Sequence, residues 1–311
     1  MRGLDTDFIK DLKEGILKDF LQAVKDDDTL CLEIRDNKLN IYYRGGNMFE
    51  IFKDRSKYKV YFNLEYCNKK DSSKYKDILK NLRDDDYKGW IDNIPFIKYE
   101  MDTWFCKHPK LEREYQQLIL RENNYSKIAN DTDYYICDIE YADSENKSRF
   151  DIVGIKWLSK SQARKKSSVG LAFIEMKYGD AAVKGDSGIK KHINDIYGFV
   201  NEPQKMDTIY KEIEDIFNQK VELGLISGID KNISINNEIK PEFIFFFANH
   251  KPAKSILESE LKSIIQSHEY KELSEIASVK IAKASYMGYG LYDECIVSLE
   301  EFLNGNKDSL G

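Results

Sequence analysis

The stretch Leu171-Ala-Phe-Ile-Glu-Met-Lys-Tyr178 decides the fold, because it predicts a strand with two charged residues in an apolar setting. Successive side chains of a strand point to opposite faces, so residues i and i+2 lie on one face about 6.5–7 Å apart. Glu175 and Lys177 therefore share a face. The opposite face is wholly apolar and holds Ala172, Ile174 and Met176.

The preceding predicted strand, Arg149-Phe-Asp-Ile-Val-Gly-Ile155, carries one acid, Asp151, among apolar neighbours. Removing an unpaired charge from water is costly, so a compensating group is expected near Asp151 and Glu175. A Mg²⁺ ion would serve, since it binds carboxylates, waters and substrate phosphates, and Mn²⁺ is expected to substitute. Such an ion polarises a phosphodiester and supplies a water or hydroxide nucleophile. The backbone carbonyl of Met176 is a candidate third protein ligand.

The 311 residues predict two domains, at roughly 100–200 residues per domain. The first, residues 1–102, is expected to be a small α+β domain that begins with a helix over residues 4–24. Its four short strands, joined by tight-turn residues, predict an antiparallel meander over residues 30–34, 39–43, 48–52 and 58–62. A charged helix near residues 74–83 and a polar boundary over residues 84–99 end this domain.

The second domain, residues 103–311, has an alternating order of predicted helices and strands. Its predicted segments are a helix at 110–123, strands at 134–141, 150–157 and 171–178, helices at 189–200 and 203–223, a buried strand at 243–248, a helix at 254–265 and a strand at 279–286. The fold class expected from this order is α/β (α+β).

This order, together with Asp151, Glu175 and Lys177, resembles the PD-(D/E)XK nuclease superfamily, whose restriction-endonuclease-like αβββαβ core surrounds a mixed central sheet. The resemblance covers residues 107–250, and Phe150 stands where the superfamily pattern has Pro. It implies that Asp151 and Glu175 bind Mg²⁺ and that Lys177 serves the attacking water. The implied function is a metal-dependent nuclease. The resemblance favours DNA as the substrate and endonuclease action, and the residues leave RNA and exonuclease action open. The alternative is a catalytically silent nucleic-acid-binding or assembly module on the same fold.

Four further residues are candidates for this site, each with a simpler interpretation beside it. The resemblance implies a Glu on the first helix, which maps to Glu114. The alternative is that Glu114 is an ordinary solvent-exposed carboxylate on that helix. Asp138 and Glu140 would extend the acidic cluster or lie on the exposed face of an edge strand. His192, on the helix after Gly185-Asp-Ser-Gly188, would line the site or be a structural histidine.

Local charge favours a nucleic-acid substrate. The chain has a net charge of −6, yet residues 147–191 hold eleven Lys and Arg against four Asp and Glu. Lys and Arg that neutralise phosphates supply most non-specific nucleic-acid affinity. The alternative is that the basic loop between the second and third predicted strands is merely solvated. A helix N-terminus also suits phosphate. The candidate phosphate contacts are Lys156, Lys160, Arg164, Lys165, Lys166, Ser187 and Lys190.

The sequence also argues against several classes of protein. The longest dense apolar run, residues 243–248, has six residues, whereas a membrane span needs about 20. The N-terminal residues lack a hydrophobic signal region, so a cytoplasmic location is expected. Five cysteines without a CxxC predict reduced thiols rather than a zinc–thiolate site. The N-terminal domain would recognise the nucleic-acid target, bind a partner protein or bind a second copy of the chain. Its stretch Tyr42-Tyr43-Arg44 could stack on bases, but the core of a hairpin is the favoured interpretation of these tyrosines.

Overall fold

A computed structural model describes residues 2–67, 75–125, 132–142, 149–160, 168–179, 182–185, 188–248, 256–284, 291 and 296–305. It divides into two compact units. The first unit is Met1–Gln117 with Gln219–Leu225, and the second is Leu118–Asn218 with Ile226–Gly311. The first stretch of this division ends at Gln117, whereas the sequence predicts a domain boundary after residue 102. The units are described separately.

The first unit carries a four-stranded sheet in the order β1-β2-β3-β4, with every neighbouring pair antiparallel. Its elements are α1 (Thr6–Lys13), α2 (Lys18–Asp26), β1 (Leu30–Ile34), β2 (Lys38–Tyr43), β3 (Gly46–Asp54), β4 (Lys57–Tyr61), a 3-10 turn (Leu64–Cys67), α3 (Lys76–Asn81), α4 (Tyr87–Asp92) and α5 (Ile94–Phe105). The predicted meander is confirmed. Asn37 and Gly45 have φ values of 46° and 71° in its turns, where these residues are tolerated.

The predicted helix over residues 4–24 is instead two helices. α1 ends at Lys13 and α2 begins at Lys18, and the N–H of Leu17 donates to the carbonyl of Asp11 between them. Gly15 lies in this break. Glycine is a poor residue for a helix interior, since its backbone loses the most freedom on ordering.

The second unit is built on a six-stranded mixed sheet in the order β10-β9-β8-β7-β6-β5. Its elements are α6 (Leu111–Asn124, which begins in the first unit), β5 (Tyr134–Ala142), β6 (Arg149–Lys156), β7 (Gly170–Tyr178), α7 (Ile189–Val200), α8 (Pro203–Glu222), β8 (Glu242–Ala248), α9 (Leu257–Ile265), α10 (His268–Ile276), β9 (Ser278–Ala284), β10 (Ile296–Ser298) and α11 (Leu299–Gly305). β7, β8 and β9 are mutually parallel, and β5–β6, β6–β7 and β9–β10 are antiparallel.

A stack of aromatic rings fixes α7 on the sheet. Phe173 of β7 and Phe243 of β8 stack with centroids 4.5 Å apart and planes 2° from parallel. Phe199 of α7 lies 6.1 Å from Phe173. Since Phe173 and Glu175 are two residues apart on β7, α7 covers the strand face that carries Glu175.

No helix in the described residues is long and apolar enough to cross a membrane.

Candidate active site

Glu175 and Lys177 meet on β7 as the alternation predicts, and both are buried. Their side chains are 8% and 2% exposed, and Lys177 Nζ donates to Glu175 Oε1 at 2.9 Å. β7 runs between β6 and β8, so its residues are covered on both edges. A charged pair in such a place costs desolvation that only close contact and further hydrogen bonds offset.

His192 completes this contact from α7. The helix begins after Gly188, whose carbonyl accepts from the N–H of His192 at 3.2 Å, so the imidazole lies in the first turns. Its Nε2 is 3.0 Å from Glu175 Oε1 and 3.1 Å from Lys177 Nζ. The structure therefore joins three predicted site residues in one hydrogen-bonded group.

Asp151 lies at the point where the β6–β7 ladder ends. The last paired residues are Ile152 and Ile174, so Asp151 and Glu175 are the next opposite positions in the same antiparallel register. Beyond this point a side chain of β6, rather than its main chain, bonds to β7: Asp151 Oδ2 accepts from the N–H of Met176 at 2.8 Å. The two predicted metal-binding carboxylates thus belong to adjacent residues of neighbouring strands.

The donor set suits a hard cation in kind. In an antiparallel ladder the N–H and C=O of one residue point to the same neighbouring strand, so the Met176 carbonyl points toward β6, as its N–H does. Two carboxylates and a carbonyl are oxygen ligands that Mg²⁺ accepts together with water and substrate. In the described part of the chain, no group of three or more His, Cys, Asp or Glu is placed to hold a metal ion.

Apolar side chains lie beside Glu175. A small cavity beside Glu175 is lined mainly by aromatic and branched residues: Phe150, Phe173, Ile196, Phe243 and Phe245. Such walls lower the local dielectric, and charges interact more strongly there than in water.

Glu114 takes part in a separate ionic contact. It belongs to the first unit, and its carboxylate accepts from Arg44 Nε at 2.9 Å. Arg44 also donates to Asp102 at 2.9 Å. The hydrogen bond to Glu114 is the largest cause of a raised pKa at Arg44, followed by that to Asp102. Glu114 is therefore left out of the proposed site, and Arg44 is engaged with carboxylates rather than presented for base stacking.

The predicted phosphate contacts divide into three groups. Lys156 Nζ is 3.0 Å from Glu242 Oε1, and Lys156 is five residues from Asp151, about 17 Å along the strand. The loop between β6 and β7 leaves the sheet at that far end, where Lys156 pairs with Gly170. Lys160 and Lys190 are exposed, whereas Arg164, Lys165, Lys166 and Ser187 lie outside the described residues.

The sequence did not indicate a second buried charge cluster around Glu242 at the start of β8. Tyr134 donates to this carboxylate at 2.6 Å, and Lys280, like Lys156, lies 3.0 Å from it. Lys156 spans β7 at Gly170 and Ala172, two small residues. Small residues on a strand between two strands with charged residues were the sequence signal that could have indicated this ion pair. Asp138, the other acid suggested on β5, is fully buried.

Comparisons with protein-family models, with curated proteins and with solved structures find no match for this chain. Any assignment of function therefore depends on the chemistry of Asp151, Glu175, Lys177 and His192.

Proposed function

We propose that this chain is a metal-dependent phosphodiesterase, a nuclease for which DNA is the first substrate to test. One observation carries the proposal: a buried lysine, Lys177, contacts Glu175 and His192 beside a second strand-borne carboxylate, Asp151. The order α6, β5, β6, β7, α7, β8, in which α8 is an addition before β8, supports a restriction-endonuclease-like core, since the resemblance implies that order.

A Mg²⁺ ion held by Asp151 and Glu175 would polarise the scissile phosphate and lower the pKa of a bound water. Lys177 has three N–H donors, and two of its directions are taken by Glu175 and His192. The remaining donor can hold a water for attack on phosphorus or stabilise the charge that develops there.

A second candidate function is a nucleic-acid-binding or assembly module without catalysis. The buried ion pair between Lys177 and Glu175, 2.9 Å apart, favours it, because such a pair can be purely structural. In that case, replacing Lys177 or Glu175 by a neutral residue would leave nucleic-acid binding intact, and neither the parent nor the variants would cleave DNA.

The experiment is incubation of the full chain with plasmid and single-stranded DNA in Mg²⁺ or Mn²⁺, with EDTA in parallel. Asp151→Asn and Lys177→Met are the test variants, and Lys184→Met is the matched control. Lys184 makes an exposed ion pair with Glu260 at 3.0 Å. Thermal unfolding verifies that each variant is folded.

Metal-dependent cleavage is expected for the parent and for Lys184→Met. We expect a loss of about 100-fold or more in Asp151→Asn and Lys177→Met, as is typical when a group that stabilises transition-state charge is removed. Cleavage that persists in folded Asp151→Asn would overturn the nuclease proposal. Salt-sensitive DNA binding without cleavage in any variant would favour the second candidate.

A further inference from the structure

Strand β6 changes the face that its side chains occupy as it passes the proposed site. Ile152 pairs with Ile174, so Ile152 and Phe173 lie on opposite faces of the sheet. Alternation would place Phe150 on the face of Ile152. The ring of Phe150 instead lies 4.6 Å from Phe173 and 5.0 Å from Phe199 of α7. β6 therefore turns over between Ile152 and Phe150, which is at Asp151.

Strand β5 turns over at the same level. Ile139 pairs with Ile152 and Tyr141 with Phe150, so alternation puts Tyr141 on the face opposite the one that α7 covers. The hydroxyl of Tyr141 nevertheless donates to Glu212 of α8 at 3.1 Å, and its ring lies 6.1 Å from Phe150. The residue between Ile139 and Tyr141 is Glu140, directly opposite Asp151 in this register.

Glu140 has the backbone conformation that such a reversal requires. Its φ is 57°, and the other described non-glycine residues with positive φ, Asn37, Arg44 and Arg55, lie outside the strands. Residues with a side chain rarely adopt this conformation because their Cβ approaches the following carbonyl. Irregular residues of this kind bend a strand and re-aim its side chains, and they are common beside active sites.

The reversal brings Asp151 to Met176. With β6 turned over, the carboxylate of Asp151 lies at the edge of β7 and accepts the N–H of Met176 at 2.8 Å. We propose that Glu140 is a positioning residue whose left-handed backbone places Asp151 against Met176. The catalytic meaning of this placement rests on the proposed nuclease function, but the placement itself does not.

Three substitutions separate backbone from side chain. Glu140→Gly and Glu140→Asn remove the carboxylate and still adopt positive φ readily, whereas Glu140→Val resists it because valine is β-branched. Arg55→Val is the matched control, because Arg55 has the same φ of 57° in the turn between β3 and β4. Circular dichroism verifies folding, and Glu140→Thr, which is also β-branched, replaces the valine variant if that variant unfolds.

The first measurement is amide hydrogen exchange of Met176 by NMR. We expect exchange about tenfold faster in Glu140→Val and unchanged in Glu140→Gly, Glu140→Asn and Arg55→Val. The second measurement is Mn²⁺ titration of the full chain, with a dissociation constant about 10–100-fold higher only in Glu140→Val.

The outcomes separate the two proposals. A Met176 amide that stays protected in folded Glu140→Val, or one that is exposed equally in Glu140→Asn, would overturn the positioning role. A parent chain that neither binds Mn²⁺ nor cleaves DNA would count against the nuclease function alone, since the exchange measurement needs no metal or substrate.

Discussion

At the scale of single residues, the ion pair with Glu175 compensates the buried charge of Lys177. Removing one partner of a buried ion pair leaves a desolvated charge, which lowers the free energy of unfolding by about 3–5 kcal/mol. Lys177→Met should have an effect of this size, because Glu175 would stay buried, with an exposed fraction of 8%. Adding Glu175→Leu should restore most of the loss, since the double variant has no buried charge on β7. Urea unfolding of the two variants measures this.

The control for this prediction is Lys184→Met, whose ion pair with Glu260 has a lysine that is 54% exposed. Exposed pairs contribute about 0–1 kcal/mol, so this variant should unfold near the parent's midpoint. Equal losses in Lys177→Met and Lys184→Met would mean that the β7 pair is better solvated than its burial indicates.

At the scale of secondary structure, alternation and lone charges were enough to predict β5, β6 and β7, and helical spacing was enough for α6 and α7. α5 was missed because its first residues fall in the predicted polar boundary over residues 84–99. Pro95 does not prevent the helix, because proline is favoured in the first turn, where it lies here. The contact between Glu114 and Arg44 was not predicted, because the two residues are 70 positions apart in the chain and no local pattern reports such a contact. The turnover at Glu140 was also invisible, since a glutamate does not indicate positive φ.

Helix α1 permits a pH prediction. Asp5 caps it by accepting from the N–H of Phe8 at 2.7 Å, and this bond is the largest cause of a lowered pKa at Asp5. A lowered folded-state pKa adds stability above the unfolded pKa, and this stability is lost as pH falls through the folded pKa. Asp5→Ala should therefore cost about 1 kcal/mol at pH 7, with a smaller difference from the parent in acid below the usual pKa of 3.8.

The control is the cap of α10, where the neutral side chain of Ser267 accepts from the N–H of Tyr270 at 3.2 Å. Ser267→Ala should destabilise by a similar amount, but the loss should not change with pH, because serine does not titrate. Chemical denaturation at several pH values decides this. A pH-independent loss in Asp5→Ala would contradict the assigned charge–cap interaction.

At the scale of the whole molecule, two helices cross the boundaries between the units. α6 begins in the first unit and ends in the second, and α8 leaves the second to finish in the first. The last turn of α8 is held by Lys220, whose Nζ lies 2.8 Å from Glu33 Oε1 with both side chains fully buried. Helix formation is cooperative, so melting either unit removes turns from helices that the other unit needs.

We therefore expect the chain to unfold in one transition, reported equally by thiols of both units. Cys31 and Cys67 of the first unit and Cys137 of the second are buried, and burial raises the pKa of Cys67 to about 11, which slows its labelling in the folded state. In a Cys106→Ser/Cys295→Ser background, the three thiols should become reactive at one urea concentration. Lys220→Met should lower that midpoint for all three together, by about 3–5 kcal/mol in unfolding free energy. A lowered midpoint for Cys31 and Cys67 alone would mean that the first unit unfolds independently and that α8 does not couple the two.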